Sequence, residues 1–335
     1  MDLFQNPFHI LGVGPRSTRE EILDAAEGAS LSGDTDRAAE ASAALANPRR
    51  RLSAEVFFLP GIDGRSAAGI LAGLKGRVKG MQPCRGVTPV AAVNLTAAAL
   101  TRLEGTGAQG TAYGISLLSQ AFESADAREV MDAVNADRRV ARVAAVPSVT
   151  DVEEELDRLR LYCRDVVRAA LDRLPSRALV EAASQAVRSE TDNAAKPPPV
   201  LVRDMMEIYD LESRAFFDRE QATVGALTAA MRRAASKDSS LGRKALAVAD
   251  DLEKVLMNWQ SVAAPLLTFL KSTGVTHRPS LAVALEVRDA AVEIHNGGAD
   301  PALAKRVTSI LAAAFADVAD VSEAVAGDAR MLWGR

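Results

Sequence analysis

An all-α fold, a small N-terminal helical hairpin followed by an extended multi-helix bundle, is predicted by three features of the sequence. Hydrophobic residues make up 48% of the chain and aromatic residues only 4%, with alanine carrying much of the apolar content. Small side chains of high helix propensity favour close-packed helices over sheets. Apolar residues recur at spacings of three and four along most of the 335 residues, the period of a helix with one buried face. Asn-Pro, Gly-rich and Pro-rich breaks separate the periodic segments, as expected where one helix ends and another starts.

The same composition narrows the function classes. A formal net charge of −4 does not fit a nucleic-acid binder, which needs a basic footprint. Cys84 and Cys163 are far apart and have no metal-like spacing, so a reduced, cytoplasmic setting is expected. The N-terminus lacks the basic start and apolar core of a signal peptide. No uninterrupted apolar run approaches the roughly 20 residues of a membrane span.

The first 63 residues predict a helical hairpin with a short third helix. Ser17 or Thr18 can accept the orphan N–H groups of a new helix, and Glu20 and Glu21 suit its positive end. Ile22, Ala25, Ala26 and Ala29 form its apolar stripe, and Gly33 ends it. Asp34 or Thr35 can cap the next helix, whose inward face is Ala38, Ala41 and Leu45. Asn47-Pro48 breaks that helix, and Leu52, Val56 and Leu59 line a third before Pro60-Gly61.

Leu11-Gly12-Val13, then Glu21-Ile22, then Asn47-Pro48-Arg49-Arg50 resemble, in that order, the J-domain of DnaJ-type co-chaperones. The resemblance covers roughly the first fifth of the chain and implies a J-like hairpin that docks an Hsp70-like ATPase. Two features depart from the family. Asp34-Thr35-Asp36 stands where the family has His-Pro-Asp, so only Asp36 matches. The helix before it, basic in the family, here sets Arg19 against Glu20, Glu21, Asp24 and Glu27. The resemblance with these departures implies a docking module without ATPase stimulation, with Arg19, Glu20, Asp24, Asp34, Asp36, Arg49, Arg50 and Arg51 as its partner-binding residues.

Residues 64–90 read as a basic, glycine-rich connector. Arg65, Lys75, Arg77, Lys79 and Arg85 stand in a stretch with no acidic residue from Gly64 to Pro89, and Gly69, Gly73, Gly76 and Gly80 share one helical face. A glycine face predicts a tight helix crossing, although each glycine costs the helix about 1 kcal/mol relative to alanine. The functional alternative is a contact for an anionic surface or for nucleic acid.

Residues 91–195 predict a second helical domain. Residues 93–103 and 113–122 form a hairpin, and a further helix covers 128–143 before Pro147. Val149, Val152, Leu156, Leu159, Cys163, Val166 and Ala170 then make a heptad seam, with Glu153, Glu154, Glu155, Arg158 and Arg160 on the wet side. A shorter helix runs to Val187, and Lys196-Pro197-Pro198-Pro199 makes a stiff linker. Residues 196–335 predict a C-terminal helical bundle. Met205, Tyr209, Phe216 and Leu227 anchor its first helix. Leu252, Val255, Trp259, Val262, Leu266 and Phe269 form a second seam, kinked at Pro265. A helix over 281–294 follows, and Asp300-Pro301 opens a last one lined by Leu303, Val307, Ile310, Ala314, Val318, Val321 and Val325.

No catalytic constellation emerges. Gly105-Thr106-Gly107-Ala108-Gln109-Gly110 is a literal G-x-G-x-x-G, but the segment before it reads as helix, and dinucleotide binding needs a strand there. His9, His277 and His295 have no ligand spacing, and exposed or capping roles are expected for all three. Cys163 occupies a seam position, and Cys84, beside Arg85, has no nearby base. Trp333 is expected to fold back on the last helix. No cofactor and no metal are expected, and the chain reads as a non-enzymatic co-chaperone or adaptor. In that reading the two seams hold the bundle together or engage a client. The alternative is a helical scaffold or oligomeric subunit of a larger complex, without Hsp70, that assembles with another subunit or with copies of itself through its seams.

Overall fold

A computed structural model describes residues 1–31, 33–74, 78–234, 239–297, 301–316 and 318. Among them the protein is all-α: fourteen α-helices, one 3-10 turn at Leu3–Gln5 and no strand. The one β-type pairing is an isolated bridge of Val78 with Leu103. Contacts divide the chain into two compact units. The first is residues 1–186 with 199–205, and the second is 187–198 with 206–335.

The first unit begins with α1 (Pro7–Leu11), α2 (Arg19–Leu31), α3 (Thr35–Ala46), α4 (Pro48–Val56) and α5 (Gly64–Leu74). There follow α6 (Pro89–Thr101), α7 (Gly107–Glu123), α8 (Ala127–Val140), α9 (Val149–Asp172) and most of α10 (Ser176–Glu190), whose last residues fall in the second unit. Helix α6 is apolar on nearly every side, and residues from Val90 to Leu100 are buried almost without interruption. A helix of that kind belongs in a core, and α7 and α9 pack against it. Phe8, Ile22, Leu45, Phe58 and Leu59 share one apolar cluster with Ala91, Leu95 and Ala98 of α6. The boundary expected at residue 63 therefore lies inside a continuous core, and residues 1–63 and 64–90 belong to the same unit as 91–186.

Two buried asparagines close the end of α4. Asn6 Nδ2 donates to the carbonyls of Ala54 (2.8 Å) and Phe57 (3.1 Å). Asn94 Nδ2, from α6, donates to those of Val56 (2.8 Å) and Phe58 (2.7 Å). The last carbonyls of a helix lack partners within it, and here they are satisfied away from water.

The α9 seam packs as expected, with Val152, Leu159, Cys163 and Ala170 buried. Glu155, expected on the wet side, is instead buried beside Arg158 at 2.5 Å, and Arg160 holds Asp204 through two bonds of 2.7 and 2.5 Å. Among the described residues the expected glycine crossing is absent: Ala67 and Leu71 are the buried residues of α5, and a Cβ placed on Gly69, Gly73 or Gly80 would meet no atom within 4 Å. Lys75, Gly76 and Arg77 lie outside the described residues. The G-x-G-x-x-G, expected as a turn throughout, spans the end of the α6–α7 connection (Gly105-Thr106) and the first turn of α7 (residues 107–110), with Gly105 and Gly107 at φ +72° and +59°.

The second unit contains most of α11 (Val200–Ala234), then α12 (Ser239–Ser272), α13 (Arg278–Asn296) and α14 (Pro301–Ala314). Leu252, Trp259 and Leu266 of the second seam are buried within it, Val255, Val262 and Phe269 are half-buried, and Leu256 and Ala263, outside the expected seam, complete the buried face; α12 continues past Pro265 to Ser272. Trp259 Nε1 donates to Ser280 Oγ (2.9 Å), which lies 2.7 Å from His277 Nδ1. His277 stands at the N-cap position of α13 but is buried, because its ring fills the space beside Phe217, 5.2 Å away. The exposed or capping role expected for it is corrected accordingly. Helix α14 ends at Ala314, with Val318 buried beyond it. Val321, Val325 and Trp333 lie outside the described residues.

Candidate docking site

Helices α1 to α4 form a module whose boundaries follow local chemistry. Gly12 closes α1 in the left-handed region (φ +68°), where its N–H reaches the His9 carbonyl at 3.1 Å and Val13 N reaches that of Phe8 at 3.0 Å. Glycine adopts that conformation without the Cβ penalty. Thr18 and Glu21 form a reciprocal capping box at the start of α2: Glu21 N donates to Thr18 Oγ1 (3.3 Å) and Thr18 N to Glu21 Oε2 (2.8 Å). Asp34 occupies the N-cap position of α3 without a side-chain cap bond, and Thr35 Oγ1 instead donates to the Ser30 carbonyl. Asn47 Oδ1 accepts from Arg49 N and Arg50 N, both at 3.1 Å, and Pro48 opens α4.

The structure spreads the expected partner-binding residues over separate surfaces. Arg19, Glu20 and Asp24 are exposed on α2, and Asp34 and Asp36 are exposed at the turn into α3. Arg49 and Arg50 are exposed on α4, where Arg49 meets Glu154 at 2.9 Å and Arg50 approaches Glu40 at 3.6 Å. Arg51 does not belong with them. It is buried, its Nε donates to Glu55 Oε1 (2.8 Å), and it donates to the Pro15 carbonyl at 3.0 Å. An arginine side chain that is only 3% exposed offers no surface to a partner.

Glu55 is shared. Its second oxygen accepts from Arg138 Nε of α8 at 2.8 Å, so one buried carboxylate joins two buried guanidiniums. Burial pushes the Glu55 carboxyl up, and the charges of Arg138 and Arg51 pull it back. A second link runs alongside. Asp137 accepts from Arg16 Nε and from Gly61 N, both at 2.7 Å. These pairs anchor α4 and the segments flanking α1–α4 to α8.

Among the grooves that open on the module are two of similar volume. One, of about 630 Å³, has Ile10 and Ala41 among its apolar lining and Arg37, Arg49, Arg50 and Arg158 around it. Each of these arginines already meets a carboxylate, respectively Asp34, Glu154, Glu40 and Glu155. The other, of about 650 Å³, runs between α2 and α3 and is lined by Leu23, Ala26, Leu31, Ala39, Ala43 and Ala46 among others. Leu31 is 91% exposed and Leu23 48%. Sequence reasoning placed the buried stripe of α2 correctly at Ile22 and Ala26 but passed over these two leucines. Their off-stripe register was the available signal.

Cys163 is buried, and burial pushes its thiol well up. Cys84 is half-buried beside Thr96 Oγ1. Among the described residues, no three His, Cys, Asp or Glu side chains are placed to hold a metal ion, and no helix is long and apolar enough to cross a membrane. No protein-family model, curated protein or solved structure matches the chain.

Proposed function

We propose that the chain is a non-enzymatic J-like co-chaperone or adaptor whose α1–α4 module docks an Hsp70-like ATPase or its client. The observation that carries this reading is the agreement between helix boundaries and the residues of the resemblance. Gly12 of Leu11-Gly12-Val13 turns the chain out of α1, Glu21 closes the capping box of α2, and Asn47-Pro48 caps and opens α4. Helices α2 and α3 pair on either side of a short turn, with α1 and α4 against α3. Asp34 caps α3 by position and Thr35 and Asp36 open it, where the resemblance calls for His-Pro-Asp, so the module docks without stimulating ATP hydrolysis. The acidic exposed side of α2 calls for a basic partner surface, because complementary charge steers encounter and suppresses wrong partners.

Affinity capture with the full chain, with and without ATP, tests the reading. The expected result is nucleotide-dependent enrichment of an Hsp70-family ATPase whose hydrolysis rate the chain leaves unchanged. Asp34→His with Thr35→Pro is expected to raise that rate. Capture of no Hsp70-family protein in either nucleotide condition overturns the reading.

A further inference from the structure

The α2–α3 groove has an electrostatic rim as well as an apolar wall. Glu27 is part of the groove's lining, and at 100° per residue Glu20 and Asp24 stand on the same side of α2 as Leu23 and Leu31, outside the lining. All five are exposed. Arg19, the one basic residue of α2, stands at its first position. Across the groove, Ala39, Ala43 and Ala46 line one face of α3 and are also exposed. Small residues let another backbone approach closely, and the leucines offer aliphatic contact beside three carboxylates.

Resting on the reading of α1–α4 as a docking module, we propose that this groove takes an amphipathic helix of a protein partner. Its aliphatic face would seat on Leu23, Leu31 and the α3 alanines, and its basic flank would lie along Glu20, Asp24 and Glu27. Three observations select this occupant. Both walls are helical, so no strand edge is available for an added strand, and helix-in-groove binding is the mode that remains. The acidic rim repels phosphates, which disfavours nucleic acid and anionic membrane. A second copy seated by two-fold symmetry would bring the three carboxylates against themselves.

Fluorescence anisotropy of the full chain with labelled synthetic peptides tests the proposal. The probes are about 14 residues long, matching the roughly 20 Å of α2 at about 1.5 Å per residue. One is a Leu/Lys amphipathic helix, one its Leu/Glu counterpart, and one a scrambled Leu/Lys peptide of the same composition. The Leu/Lys helix is expected to bind about tenfold or more tightly than either control, and to weaken as salt rises. Leu23→Ser with Leu31→Ser is expected to lose about tenfold or more, and Glu20→Lys with Asp24→Lys and Glu27→Lys to transfer the preference to the Leu/Glu peptide. Either variant alone decides the matter if the other loses its helical circular dichroism. Equal binding of the three peptides, or undiminished binding by the leucine variant, overturns the proposal. So does light scattering that shows a dimer abolished by the leucine variant, because the occupant is then a second copy. Peptide binding without any Hsp70-family partner overturns the co-chaperone reading alone. ATPase docking without peptide binding overturns only the groove's assignment.

Discussion

His277 shows how far a residue's chemistry depends on neighbours distant in sequence. Trp259 Nε1 donates to Ser280 Oγ, so the Ser280 hydroxyl hydrogen is free to point at His277 Nδ1. Nδ1 either accepts the Ser280 hydroxyl hydrogen or donates to the Ser280 oxygen, according to the ring's tautomer, and Nε2 is buried without a hydrogen-bond partner. Burial lowers the His277 pKa, while the Asp210 carboxylate opposes the shift. The sign follows directly: the unfolded chain takes up a proton near the ordinary histidine value, and the folded chain resists until lower pH. Stability is therefore full above about pH 6.5 and declines below it, by at most about 1.4 kcal/mol per pH unit, until the folded ring is itself protonated. Urea unfolding at pH 7.5 and 5.5 is expected to show this loss, and His277→Gln to flatten it. Asn94 makes a second case. Asn94→Ala leaves the Val56 and Phe58 carbonyls without that donor and is expected to cost about 1–3 kcal/mol in denaturant unfolding. Its polar side chain in an apolar helix was visible in the sequence, whereas its partners, 36 and 38 residues away, were not.

At the scale of elements, most helices were legible because their signals are local. The Asn47-Pro48 start of α4, the Leu11-Gly12-Val13 exit from α1 and the three-and-four spacing of α9 each act through neighbours within a turn or two. Tertiary pairing is not local. Arg51 sits in a run of three arginines that reads as one basic cluster, yet helical rotation carries only Arg51 inward to meet Glu55 one turn later. Arg138 completes the site from 83 residues away. Glu155 was misplaced for the same reason, since a charged residue in a run of glutamates gives no sign of burial. The glycines of α5 share a face as their spacing required, but sharing a face does not supply a partner helix. Removing one member of the charge link is costly because it leaves part of a buried charge uncompensated. Arg138→Ala is expected to destabilise the first unit by about 3–5 kcal/mol, while a paired replacement of all three charges by apolar residues of similar volume costs far less. Denaturant unfolding of both variants separates these outcomes.

For the molecule as a whole, two compact units are each held by their own cores. The seams expected to serve self-association are largely occupied from within: Leu159 and Cys163 are buried in the first unit, and Leu252 and Trp259 in the second. What remains open on α1–α4 includes the exposed α2–α3 groove, and this weighs the account toward docking. That module shares its core with α6 and its charge link with α8, so the proposed docking is to be tested on the full chain. The most direct test is calorimetric titration of the full chain with a purified Hsp70-family ATPase, in ATP and in ADP. Binding that differs between the two nucleotides and disappears with Leu23→Ser and Leu31→Ser is the predicted result; no binding in either nucleotide contradicts the account.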